Sequence, residues 1–347
     1  MRLKIINRII LLITFAAFAS CDDGGTAMHK NITGKAGEVV VVMSNEAWDS
    51  EPGEVVRQTL AQEHLALPQD EPLFDLVKVP GEGFKSIFKS TRNILQARIS
   101  PNVDSARVAF LDDAWAYPQA TVTIEAKTPG EFVEIFNEHK NRIMSYFVRA
   151  ERERLSMNYD KYYEREIYNV LNEDFGITMK VSPGFQIAEQ KEDFIWLRFE
   201  TPKISQGIVI YTFPYVSDSA FTQDYLMKVR DSVLRANVPG PAEGSYMATE
   251  RRVDQVFNIR EHNGNYASEM RGLWRLKNDF MGGPYVSLAV LDVENQRVIV
   301  GYGYVYAPNT DKRNYLRQVE AMLYSMELAN QDQNDDINME VEVRPES

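Results

Sequence analysis

The sequence predicts an α+β fold: two similar β-α-β…β-β-α units with mainly antiparallel sheets. Two observations lead there. Amphipathic helical stretches are few beside many short strand-like runs, a balance that favours α+β over a doubly wound parallel sheet. The two halves also repeat an order. Each opens with an apolar strand, a turn and a helix (39–61 and 208–236) and closes with a strand, a Pro-containing turn and an amphipathic helix (121–150 and 300–326). Ile208 lies 169 residues after Val39, and Pro308 lies 179 after Pro129. An internal duplication gives this order, and so does any alternating α+β chain.

Residues 39–43 are a continuous apolar run ahead of a turn-rich segment and read as a buried strand. Val55, Val56, Leu60 and Ala61 then recur at helical spacing within 54–63. Residues 73–79 return to strand, and a short helical or loop piece at 84–89 leads to strands at 93–99, 106–111 and 120–126. Thr128-Pro129-Gly130-Glu131 is a capping box, with Thr at the N-cap and Pro at the first helical position. Phe132, Phe136, His139, Ile143 and Phe147 follow on one face, and Arg149, Arg152 and Arg154 trail where the helix dipole suits cations. A second helical stretch, 159–175, ends at Gly176 in the place of a C-cap. Whether 155–158 breaks or kinks the helix stays open.

In the second half, strands are expected at 177–181, 194–200 and 206–213. A helix capped near Ser217 or Asp218 runs to Ala236, with Phe221, Tyr225, Val229 and Val233 inward. Strands follow at 245–250, 255–260, 268–276, 286–292 and 298–305. Pro308 introduces a last helix with Leu316, Val319, Leu323 and Met326 on one face. The chain thus divides into a signal (1–20), a flexible tether (21–35), a first unit (36–155), a connecting helix (156–176), a second unit (177–328) and an acidic tail (329–347).

The first twenty residues have the parts of a secretory signal: Arg2, Lys4 and Arg8, an apolar run over 9–19, and small residues before Cys21. The run is shorter than the roughly 20 apolar residues a bilayer-spanning helix takes. Phe18-Ala19-Ser20-Cys21 resembles a lipobox, with Phe where Leu is commonest. Cys21, the only cysteine, is therefore the expected lipidation site, holding the mature chain to a membrane without a transmembrane helix. Asp22 and Asp23 resemble the surface-export signal of Bacteroidota lipoproteins, which implies an outer-membrane and surface-exposed address.

Loss of the signal removes three of the 38 basic residues and leaves a net charge of −15. That balance argues against nucleic acid as a partner. Part of it lies in residues 331–347, which hold six acids and one Arg and read as disordered. With the one cysteine committed to lipid, the folded part has no disulfide or thiol nucleophile. His29, His64, His139 and His262 form no close ligand spacing, so no metal and no cofactor is expected. Gly34-Lys35-Ala36-Gly37 precedes the first strand and lacks a Gly-Lys-Ser/Thr ending, and neither a Gly-x-Ser-x-Gly elbow nor a His-Glu-x-x-His pair occurs.

Two kinds of site remain. Asp112, Asp113, Glu269 and Asp279 could serve a carboxylate-based hydrolase, which needs two carboxyls about 5–9 Å apart. Alternatively, Arg271 and Trp274 lie on a strand whose Glu269, Arg271, Leu273 and Arg275 form a charged outer face. Gly282-Gly283-Pro284 is the expected turn to the next strand. Gly301-Tyr302-Gly303-Tyr304-Val305-Tyr306 then places Tyr302, Tyr304 and Tyr306 on one face with glycines opposite. Such a face suits stacking on a glycan or a protein partner, and equally suits core packing under the last helix. Ser105 and Ser219 lie in Asp-Ser-Ala segments that resemble the O-glycosylation acceptor of Bacteroidota.

The segment from Gly34 to Glu38 through Trp48, with Arg271-Gly272-Leu273-Trp274 and Phe280-Met281-Gly282-Gly283-Pro284, resembles an uncharacterised Bacteroidota lipoprotein family known only as a domain of unknown function. The resemblance implies an envelope address and no assigned activity. The leading expectation is a lipid-anchored, non-enzymatic module that binds an envelope protein or glycan. The rival is a hydrolase acting on envelope or host polysaccharide.

Overall fold

The computed structural model describes residues 30–329. The signal, Cys21 and nearly all of the acidic tail lie outside them. The last six residues of the expected tether do not: β1 (Lys30–Asn31) pairs in parallel with Ala116 and Tyr117, so the fold starts earlier than composition suggested.

The α+β class is what the chain adopts. Its first half builds on β2 (Glu38–Val42), followed by α1 (Asn45–Trp48) and α2 (Glu51–Leu60). Next come β3 (Asp75–Val79), α3 (Ser86–Lys89), β4 (Asn93–Ile99), β5 (Arg107–Asp112), β6 (Ala116–Tyr117) and β7 (Ala120–Ala126). The sheet order is β3-β2-β4-β7-β5. All pairs are parallel except β5 with β7. Antiparallel pairing prevails over the described residues, but this sheet is mostly parallel, because helices and loops carry the chain from β2 to β3 and β4, and the β5–β6 excursion returns it from β4 to β7 in the same direction. One face packs Val39, Val41, Leu95, Val122 and Ile124 against helices; the other lays Val40, Val42 and Ile94 under Phe84, Phe88 and Trp115.

Helix α4 (Pro129–Lys161) starts as its sequence dictates: Thr128 accepts from the Glu131 amide, and Pro129 follows. It runs 33 residues without interruption through 155–158, a length of about 50 Å at 1.5 Å per residue. The reason is packing. Phe132, Phe136, Ile143 and Phe147 fill the first core, whereas Leu155 and Tyr159 reach the second. The break falls instead at Tyr162, and α5 (Arg165–Phe175) ends at Gly176 with φ +64, the expected C-cap.

Short β8 (Ile177–Thr178) precedes β9 (Gln186–Lys191), β10 (Phe194–Glu200), β11 (Ser205–Pro214) and α6 (Gln223–Asn237). Then come β12 (Tyr246–Thr249), β13 (Val256–His262), β14 (Asn265–Lys277), β15 (Gly282–Asp292), β16 (Arg297–Tyr306), α7 (Arg313–Tyr324) and β17 (Glu327–Leu328). The large sheet, β12-β14-β15-β16-β11-β10-β9 with β13 also on β14, is antiparallel throughout. The two halves therefore share an order of elements and not a pairing pattern.

Both faces of the large sheet are covered. Helices α5 and α7 lie over Ile208, Ile210, Leu288 and Ile299; α6 lies over Val209, Tyr211, Tyr285 and Val300. The inward residues of α6 are Leu226, Met227, Arg230 and Leu234. Of the residues expected inward, Phe221 is buried in the 3-10 turn (Asp218–Phe221) that precedes the helix, Val229 and Val233 pack at the edge of the same core, and Tyr225 is exposed.

Gly282-Gly283-Pro284 is strand, not turn: Gly283 pairs with Trp274 and Pro284 with Leu273, and the turn is made by 278–281. A Cβ on Gly283 would stand 2.1 Å from the Val305 carbonyl oxygen, which accepts from the Trp274 indole at 3.1 Å. The glycine is what lets these groups meet.

Candidate functional site

The tyrosine face is core. Tyr302 and Tyr304 are 1% and 4% exposed, Trp274 is 2% exposed, and Tyr306 is half-buried. They pack under α6, on the sheet face away from the last helix. The glycines opposite serve that helix instead: a Cβ on Gly303 would lie 2.1 Å from Val319 Cγ1, and one on Gly301 2.8 Å from Leu323 Cδ2. Tyr304 in turn occupies the room left by its cross-strand partner Gly207 and accepts from the Trp196 indole at 2.9 Å. Beneath these rings lies Arg230, 2% exposed, with its guanidinium 4.3 Å from the Tyr285 ring centre. Stacking on a glycan is closed to this face because aromatic neighbours already fill it.

Arg271 has a different fate. It opens into a cleft of about 380 Å³ where the two halves meet. Helix α4 supplies Met144, Ser145, Val148, Arg149 and Arg152, a three-to-four spacing that puts them along one side. The large sheet supplies Arg260 on β13, and Glu269 and Arg271 two apart on β14, hence on one face. Helix α7 contributes Arg317, Glu320 and Tyr324, and the loop after α2 adds Glu63, His64, Leu65 and Leu73. The expected solvated outer face of β14 is thus the cleft floor at this end, with Glu269 only 5% exposed.

A charge network organises the floor. Arg271 donates to Glu269 at 2.8 Å and to both oxygens of Glu320 at 2.8 and 3.2 Å. Arg260 donates to Glu269 at 2.9 Å, and the Tyr324 hydroxyl also donates to Glu269. The Arg152 guanidinium lies 4.0 Å from the Tyr324 ring centre and Arg260 5.1 Å from it. Burial opposes ionisation of Glu320, but the charge and hydrogen bonds of Arg271 outweigh it and hold its carboxyl down to about 2. Burial, helped by Arg317 and Arg271, lowers His64 to about 4, so its ring is neutral near pH 7. Burial also lowers Arg317 to about 10, which still leaves it charged.

The cleft is held from both sides. Glu71, from the first half, accepts the Lys312 and Arg313 amides at 2.7 and 2.9 Å and so caps α7 across the junction. Arg313 reaches Asp75 at 2.7 Å, and Arg317 reaches the Leu73 carbonyl at 2.6 Å.

The four carboxylates named from sequence fall in three places. Asp112 accepts from the Tyr146 hydroxyl at 2.6 Å, and Asp113 accepts from the Gln119 amide at 2.8 Å. Asp279 belongs with Trp274 and exposed Phe280 in a separate hollow, so only Glu269 reaches the cleft. Ser105 is exposed in the loop before β5, and Ser219 is exposed in the 3-10 turn, 2.7 Å from the Ser217 hydroxyl. Among the described residues, no group of three or more His, Cys, Asp or Glu is placed to hold a metal ion. None of the helices there is long and apolar enough to cross a membrane.

Sequence reasoning found Arg271 and missed Arg260, Arg317, Glu320 and Tyr324. It noted Arg149 and Arg152 only as partners of the helix dipole. A signal existed: Arg317, Glu320 and Tyr324 each sit beside one of the inward-facing apolar residues of the last helix, Leu316, Val319 and Leu323.

The geometry defines an α+β chain of two large sheets joined by one long helix, with a cleft of charged and apolar residues at the seam. Within that class, residues 164–325 match a domain of unknown function, DUF4837, and residues 32–160 match a second, DUF8532. The boundary between the matches falls at the break after α4. No curated protein matches the chain. Among solved structures, the Saccharomyces cerevisiae Ran-binding protein Mog1p is similar at 10% identity and a TM-score of 0.31, covering 45% of this chain and 92% of its own. A point mutant of protein Mog1 gives 11%, 0.29, 44% and 91%.

Proposed function

We propose that this chain is a lipid-anchored, non-enzymatic binding module of the bacterial cell envelope, of a Bacteroidota lipoprotein family, that takes its ligand in the cleft between the two halves. The observation that carries the binding reading is the lining itself. Five arginines meet one open space on a chain whose net charge is −12. The group that enters would belong to an envelope protein or glycan. The signal pattern and Cys21 support attachment to the outer membrane, facing outward. The non-enzymatic reading is supported by Glu269 being committed to Arg260, Arg271 and Tyr324, while the other three carboxylates lie elsewhere.

A photo-reactive residue at Ser145 in the full chain, expressed in its own cells, tests the site. An adduct from position 145, with none from exposed Ser232 on α6, supports it. Equal adducts from both, or none, count against it. Loss of palmitate labelling and of membrane attachment in Cys21→Ser tests the anchor. A wild-type chain that incorporates no palmitate would sink that part.

A further inference from the structure

We infer that what enters the cleft is an organic acid group, carboxylate or phosphoryl, on a short apolar stem, carried by the envelope partner. This rests on the cleft being the binding site and names the chemistry of what enters it.

The acidic end follows from unspent positive charge. The lining holds five arginines against three glutamates. The buried glutamates are already engaged: Glu269 by Arg260, Arg271 and Tyr324, and Glu320 by Arg271. Three guanidiniums keep donors to spare. Arg149 has exposed Glu153 at 3.4 Å and the Tyr146 ring centre at 5.8 Å, neither of which uses up its N–H donors, and Arg152 stands 3.6 Å from Glu320, beyond hydrogen-bond length. Arg260 Nε is buried with no hydrogen-bond partner. A planar guanidinium with free N–H groups matches a carboxylate or phosphoryl group in geometry as well as charge. A neutral ligand would leave this surplus unanswered.

The apolar end follows from the other wall. Met144, Val148, Leu73 and Leu65 line the same space, and Leu65 is 60% exposed. The volume, about 380 Å³, lies within the range of small-molecule sites and favours a compact ligand.

Methyl NMR on the Met-labelled mature chain reads the site directly through the Met144 resonance, assigned with Met144→Leu. The probes are hexanoate, hexyl phosphate, inorganic phosphate and 1-hexanol. Both acids should shift Met144, with at least about tenfold tighter binding than either inorganic phosphate or hexanol, since each lacks one half of the interaction. Arg260→Gln should weaken both acids by about tenfold. Arg149→Gln, which touches little else in the fold, should weaken them by about threefold and guards against misfolding of the first variant.

A preference for hexyl phosphate over hexanoate, or the reverse, fixes which acid is meant and supports the inference either way. Hexanol binding as tightly as the acids overturns the anionic end. Inorganic phosphate matching hexyl phosphate overturns the apolar stem. If no probe shifts Met144 while Ser145 still captures a partner, the ligand class is wrong and the binding site stands. If both fail, the site falls too.

Discussion

Replacing Gly303 by Ala tests why glycine alternates with tyrosine on β16. The added Cβ would stand 2.1 Å from Val319 Cγ1 and 3.2 Å from Leu323 Cδ1. Carbon atoms pack best at roughly 3.5–4.0 Å, so helix or sheet must yield by about 1.5 Å. Neither is free to. Gly303 is paired on both sides, to Ile208 and Val286. Helix α7 is pinned by Glu71 at its N-terminus and by Arg317 to the Leu73 carbonyl. Overpacking of this kind costs about 1–3 kcal/mol, partly offset by the smaller entropy an unfolded Ala loses, about 0.4–1 kcal/mol. A contact as short as 2.1 Å takes the upper end of that range, leaving a net loss of about 2–2.6 kcal/mol, which for a chain of this size is a fall in melting midpoint of about 3–5 °C.

The assay is a thermal scan of Gly303→Ala, Val319→Ala and the double variant. Val319→Ala alone leaves a cavity and also destabilises. In the double variant the new methyl occupies space the valine vacated, so the combined loss should be smaller than the sum by at least about 1 kcal/mol. A Gly303→Ala midpoint within 1 °C of the parent, or strict additivity, would refute the close approach of α7 to this strand.

Two further outcomes follow from the seam. Glu71→Gln puts an amide N–H₂ against backbone donors that a carboxylate now satisfies, and should cost about 1–3 kcal/mol, read as a lower melting midpoint without loss of secondary structure by circular dichroism. His64, lowered to about 4 by burial and by the Arg317 and Arg271 charges, binds its proton more readily unfolded. Its contribution to stability is therefore present above pH 6.5 and lost as pH falls toward 4. His64→Phe should flatten the melting profile between pH 6.5 and 5, and an unchanged slope there would count against the neutral buried ring.

Much of the fold was legible because local rules and burial agree in it. The capping box at Thr128, the C-cap at Gly176 and the strands at 93–99, 120–126 and 194–200 stand where spacing puts them. Failures came where distant contacts decide. Residues 155–158 stay helical because Leu155 and Tyr159 have a second core to enter. Gly282-Gly283-Pro284 is strand because an indole and a carbonyl from other strands need the space of a missing Cβ. Strand direction in the first sheet was invisible, since an apolar run reads alike in either sense. The cleft was hidden for the same reason: its arginines come from 149, 152, 260, 271 and 317, and only the packing of α7 between the halves gathers them.

The Glu269–Arg271–Glu320 network allows stability and function to be separated. Desolvating three charges costs several kcal/mol per ion, which their mutual attraction repays only when geometry is good. Replacing such a network by apolar side chains of similar volume is often neutral or stabilising, whereas removing one member strands a buried charge at a cost of about 3–5 kcal/mol. Arg271→Met alone leaves Glu320 buried with only Arg152 at 3.6 Å and should destabilise strongly. The combined Glu269→Leu, Arg271→Met, Glu320→Leu and Tyr324→Phe variant should melt within a few degrees of the parent. It would nonetheless lose the acid probes, because Arg152 and Arg260 are then no longer held at their present positions by the network. If the apolar variant melts like Arg271→Met, the network is a structural element of the seam. If it keeps both stability and acid binding, the arginines that remain bind without the network, which then plays no part in recognition.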